Sequence, residues 1–128
     1  MRAALSVSWG TKVALLALVL GLAGCGVRGG IRHAINHYED GEYQDAKEVW
    51  LELEARHKGM PLKARVRYLV FRGLTHWHLG EIVAARYYLY WGRQAYEEAG
   101  EQWIPEENLP EVREALQALG LQPIASMP

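Results

Sequence analysis

No stretch of the chain alternates apolar and polar residues in twos for the length of a half-buried strand. Strong breakers fall at wide intervals instead, at Gly41, Gly59 with Pro61, Gly80, Gly100, Pro105, Pro110 and Gly120. The segments between them are rich in Ala, Leu, Glu and Arg, which favour helix. The pattern predicts five helices, over about 30–40, 42–57, 61–79, 81–99 and 109–119. Pro61 suits a first helical turn, where a missing N–H costs nothing. Asn108 followed by Glu111 has the spacing of a capping box.

The N-terminal pattern differs. Arg2 and Lys12 are followed by Val13 to Ala23, a run without a polar side chain. As a helix this run rises about 16 Å, too little for a hydrocarbon core of ~30 Å. A charged start, an apolar stretch and small residues after it read as a secretory signal. The run ends in Leu22-Ala23-Gly24-Cys25, which resembles the lipobox of bacterial lipoproteins. That resemblance implies cleavage before Cys25 and acylation of Cys25, the sole cysteine. Gly26 stands where Asp is a familiar inner-membrane retention signal, so an outer-membrane location facing the periplasm is expected.

Gly41-Glu42-Tyr43-Gln44-Asp45-Ala46 matches Gly80-Glu81-Ile82-Val83-Ala84-Ala85 at an offset of 39 residues. Glycine permits a tight turn between antiparallel helices, and the small Ala lets them approach. The spacing resembles the tetratricopeptide repeat, a helical hairpin with small residues at fixed positions. Ala34, Gly41, Tyr43, Ala46 and Trp50 fit one copy, and Gly73, Gly80, Ile82, Ala85 and Leu89 fit a second. His33, Arg72, His37 and His76 stand where the family usually has Leu or Tyr. The resemblance implies an inner groove lined by the first helix of each hairpin. Carried over by position, Tyr38, Arg67, Leu74, Trp77 and His78 become the expected partner-binding residues, with Trp77 foremost.

Composition narrows the function. Fifteen acids against fourteen bases give net −1, so nothing in the charge balance attracts nucleic acid, and no nucleic-acid partner is expected. Charge is nevertheless segregated: residues 39–54 carry net −6, 63–93 net +5 and 97–114 net −6. Either stacked helices neutralise one another, or Arg65, Arg67, Arg72 and Arg86 present a positive strip to an acidic partner or to lipid head groups. The crowded run Arg86-Tyr87-Tyr88-Leu89-Tyr90-Trp91 offers rings to a groove or partner, with Leu89 as core. On the alternative view Tyr88 and Trp91 are core too, and Tyr87 and Tyr90 are rim. Five histidines, among them His33 and His37 one helical turn apart, invite a metal reading, but no cysteine or clear carboxylate completes a set and no HExxH motif occurs. They are read here as packing and interface residues. No catalytic residue, metal or cofactor is assigned.

The expected organisation is a signal peptide over 1–24, a lipidated flexible tether over 25–30, a helical domain over 31–122 and a tail over 123–128. The expected fold is all-α, a tetratricopeptide-like pair of antiparallel hairpins with a C-terminal capping helix. The expected function is a non-enzymatic, lipid-anchored adaptor for another envelope protein, of the assembly-factor or pilotin-like class. The alternative is a small-ligand or metal-binding lipoprotein using the histidines.

Overall fold

Glycine in the left-handed region ends a helix cheaply, because no Cβ opposes it. Three glycines do so here, Gly41 at φ 75°, Gly80 at φ 72° and Gly120 at φ 67°. The structure is a computed structural model and describes residues 26–99 and 103–124. Helix α1 covers 26–39. Helix α2 is Tyr43–Leu53, α3 is Leu62–His78, α4 is Ile82–Ala99 and α5 is Leu109–Ala118. Short 3-10 turns, Glu54–Gly59 and Glu106–Asn108, precede α3 and α5. The fold is all-α, and the described residues contain no strand.

The first two glycine turns share one bonding pattern. Gly41 N–H donates to the Tyr38 carbonyl at 3.0 Å and Glu42 N–H to that of His37 at 2.8 Å. Gly80 N–H donates to Trp77 at 3.0 Å and Glu81 N–H to His76 at 2.9 Å. A third turn of this kind closes α5, with Gly120 bonded to Gln117 and Leu121 to Leu116. Two crossed bonds of this type satisfy carbonyls that a helix end would otherwise leave open.

Helix α3 is the central element, packed against α2, α4 and α5, and every residue from Tyr68 to His76 is buried. Its pairing with α4 is the most intimate. A Cβ on Gly73 would lie 2.6 Å from Leu89 Cγ and 2.9 Å from Leu89 N. A Cβ on Gly92 would lie 2.8 Å from Val70 Cγ2. Trp50 carries α2 into the core, and its indole N–H donates to Thr75 Oγ1 at 3.0 Å. Thr75 in turn donates to the Phe71 carbonyl at 2.7 Å, so neither buried polar group is orphaned.

Three expectations are corrected. Residues 26–30 are helix, not a flexible tether: Ile31 and Ala34 pull α1 into the core, and Gly30 is a close-packing position whose Cβ would meet Leu53 Cδ2 at 2.8 Å. Helix α2 tightens into a 3-10 turn at Glu54, where the His57 Nδ1–H donates to the Glu54 carbonyl at 2.8 Å. Asn108 makes no side-chain cap: it ends a 3-10 turn in the right-handed helical region, at φ −91° and ψ −13°, and not in the extended conformation that a capping side chain needs. No helix among the described residues is long and apolar enough to cross a membrane. Cys25 and the apolar run lie outside the described residues.

Candidate binding groove

The five residues assigned to a common groove do not share a surface. Leu74 is fully buried, inside the α3 interface, and is core. Tyr38 is 5% exposed and packs edge-on to Phe71, so it too is core and not groove lining. Both corrections have one reason: α3 is covered on several sides, α1 among them, so positions assigned to a groove by register face a neighbouring helix.

Tyr38, Trp77 and His78 belong to a clip that joins α1, α2, α3 and α5. Tyr43 stacks on the His78 ring at 4.2 Å with 2° between planes. His78 Nε2 lies 3.4 Å from the Tyr38 hydroxyl, and Nε2–H donates to the Glu111 carboxylate. Trp77 is half-buried against the core and leans on His78 at 5.2 Å. Burial, aided by the Glu111 carboxylate, pushes the Tyr38 hydroxyl far above the ordinary phenol range. These residues hold helices together.

Arg67 lies elsewhere. It lines a groove of about 410 Å³ between α1 and α3, bounded by Pro61 and Pro105. Arg28 and Arg32 enter from α1, Lys63 and Arg67 from α3, and Ile31, Ile35 and Phe71 contribute apolar wall. Each cation pair is four apart, so each shares one helix face. Arg67 Nε–H donates to the Trp103 carbonyl at 3.0 Å, and Lys63 Nζ sits 4.4 Å from the centre of the Trp103 ring. Among the described residues, none of the four cations pairs with a carboxylate. Other cations do: Lys47 with Glu81 at 2.7 Å, Arg65 with Glu98 at 3.8 Å and Arg72 with Glu54 at 3.4 Å. Four like charges gathered beside an apolar wall, three of them exposed and Arg67 half-buried, attract an anion more strongly than one such charge alone.

The positive strip read from the sequence is therefore corrected. Arg72 is 2% exposed, bonded to Tyr68 and Glu54, with its guanidinium 4.2 Å from the centre of the Tyr88 ring. Arg65 faces Glu98, and only Arg67 of the strip enters the groove. Arg28, Arg32 and Lys63 are the cations that the sequence reading missed. The matching four-residue spacing of Arg28–Arg32 and Lys63–Arg67 is the signal that could have found them.

On α4, Leu89 is core and Tyr88 is half-buried, stacked at 5.3 Å on His76. Trp91, in contrast, is 48% exposed, so it is not core. Tyr87 and Trp91 border a second cavity of about 410 Å³ that also meets Tyr68, His57 and Glu54. Its charges are mixed, with Lys58 and Arg65 beside Glu54 and Glu98, so it has no net preference for one sign of ligand. Compared with family models, curated proteins and solved structures, the chain gives no match.

Proposed function

We propose that this chain is a lipid-anchored, non-enzymatic adaptor of the tetratricopeptide-like class. Acylated Cys25 holds it at the outer membrane facing the periplasm. The groove between α1 and α3 grips an acidic segment of another envelope protein. The observation that carries this reading is the set of four cations, Arg28, Arg32, Lys63 and Arg67, lining an apolar-walled groove with no carboxylate partner among the described residues. Support for the repeat class comes from the identical bonding at Gly41 and Gly80. It is strengthened by a His–Glu contact across each turn, His37 to Glu42 at 3.3 Å and His76 to Glu81 at 3.2 Å.

The test is co-purification from the native membrane in mild detergent. A stoichiometric protein partner is expected, and Arg32→Glu with Lys63→Glu should release it without lowering the melting temperature, because both side chains are exposed. Moderate salt should weaken capture as well. A partner retained by the double variant, or a chain that purifies alone, counts against the groove.

A further inference from the structure

We propose that His33 and His37 form a two-imidazole clamp for a divalent ion of the zinc class, with Glu42 orienting the His37 ring. The site is independent of the basic groove and lies at the α1–α2 turn.

The geometry begins with spacing. Residues four apart on a helix are neighbours, and the two rings stand with centroids 4.5 Å apart at 65°. Their Nε2 atoms face each other at 3.3 Å. Zinc–nitrogen bonds of about 2.0–2.1 Å at a tetrahedral angle place two ligand nitrogens about 3.3–3.4 Å apart. A right-angled square-planar pair would need about 2.9 Å. The observed span fits the tetrahedral case.

The tautomer is fixed in the required sense. Glu42 Oε1 lies 3.3 Å from His37 Nδ1. A carboxylate accepts, so in the neutral ring Nδ1 carries the hydrogen and Nε2 is bare; His33 Nε2–H then donates to it without metal, and that hydrogen must move to His33 Nδ1 or be released when an ion binds. This carboxylate–imidazole relay is the arrangement that orients histidine ligands in zinc sites. Ligand atoms of His37, Glu42 and Asp45 also lie within 4.8 Å of one another, a competing set that does not include His33. The surrounding segment, 39–54, carries net −6 and draws cations in.

The second turn supplies an internal control. His76 and Glu81 make the same ring–carboxylate contact at 3.2 Å, so that contact by itself is a device of the turn. Four residues before His76 stands Arg72, whose guanidinium is bound to Tyr68 and Glu54. Four residues before His37 stands His33, exposed and aimed at His37 Nε2. The second imidazole is what turns a structural contact into a ligand pair. Two protein nitrogens leave the remaining positions to water, so the site exchanges its ion readily.

The experiment is calorimetric titration of the full chain in detergent with zinc chloride, followed by cobalt substitution. One equivalent of zinc is expected, and cobalt should give the intense visible absorption of a tetrahedral complex. His33→Ala should weaken binding by at least ~10-fold, and Glu42→Gln by ~10–100-fold. His57→Ala, remote from the clamp, should change nothing. His33 is exposed, so an unaltered melting curve without metal will show that its variant still folds. Absence of binding, a weak octahedral cobalt spectrum, or zinc lost in Asp45→Asn but kept in His33→Ala would each overturn the clamp.

Discussion

Gly73 shows what one methyl group decides. An alanine there would gain ~1 kcal/mol in helix propensity. Its Cβ would also stand 2.9 Å from the backbone nitrogen of Leu89, which cannot swing aside as a side chain can. Overpacking of this kind costs ~1–3 kcal/mol, so Gly73→Ala should lower the melting temperature. Gly41 fails differently. Space around its Cβ position is open, and the strain comes from φ 75°. Asn tolerates the left-handed region, so Gly41→Asn should be milder than Gly41→Ala, whereas Gly73→Asn should be worse than Gly73→Ala. Thermal unfolding of the four variants checks the pattern, and an unchanged melting point for Gly73→Ala would show that α3 and α4 can separate without loss.

At the scale of elements, the α3–α4 turn is tied to α2 through a chain of polar contacts. Lys47 Nζ donates to Glu81 at 2.7 Å, and Glu81 meets His76 Nδ1 at 3.2 Å. Burial holds the His76 ring below its ordinary 6.5 despite Glu81, with Arg72 and Lys47 adding to the effect. The Lys47 hydrogen bond holds Glu81 below its ordinary 4.5. For both groups the unfolded chain binds protons more readily than the folded one, so stability falls as pH falls. The His76 contribution is lost from about pH 6.5 downward and that of Glu81 from about 4.5 downward. Urea midpoints measured across this range should fall in both windows, and His76→Gln should flatten the upper window relative to the parent chain. A midpoint that rises on mild acidification would contradict a neutral, buried His76.

Much of this architecture was legible in the sequence because helix ends are local chemistry. Gly41, Gly80 and Gly120 end helices wherever they occur, and the segments between them have few alternatives. Side-chain neighbours were less legible, because they depend on which elements meet. Leu74 and Tyr38 have groove positions by register, yet α3 is enclosed on several sides. Arg72 reads as surface charge until Tyr68, Tyr88 and Glu54 close around it. The cationic groove escaped notice because its halves are separated by Lys63 − Arg28, or 35 positions, and a running charge sum sees neither pair as part of the other.

At the scale of the whole molecule, the proposed anchor and the groove stand in opposition. Cleavage before Cys25 would remove Arg2 and Lys12, leaving 12 bases against 15 acids and net −3. An anionic bilayer repels such a chain, and the groove cations, held on α1 and α3, are too few to reverse that. In the proposed arrangement attachment comes from acyl chains, each buried methylene contributing ~0.8 kcal/mol, with two or more chains needed for a durable hold. The helices from residue 26 onward bury their own core, so their folding does not draw on the membrane. Cys25→Ser should then abolish fatty-acid labelling and leave an unprocessed precursor. The same chain cleaved before residue 26 should stay in the soluble fraction with unchanged helical content by circular dichroism. Undiminished labelling of Cys25→Ser would remove the anchor from the proposal. A cleaved domain that loses its helices would instead show that the bilayer completes the fold, and α1 would then be the helix to suspect, since Arg28 lies three residues from Cys25, the proposed acylation site.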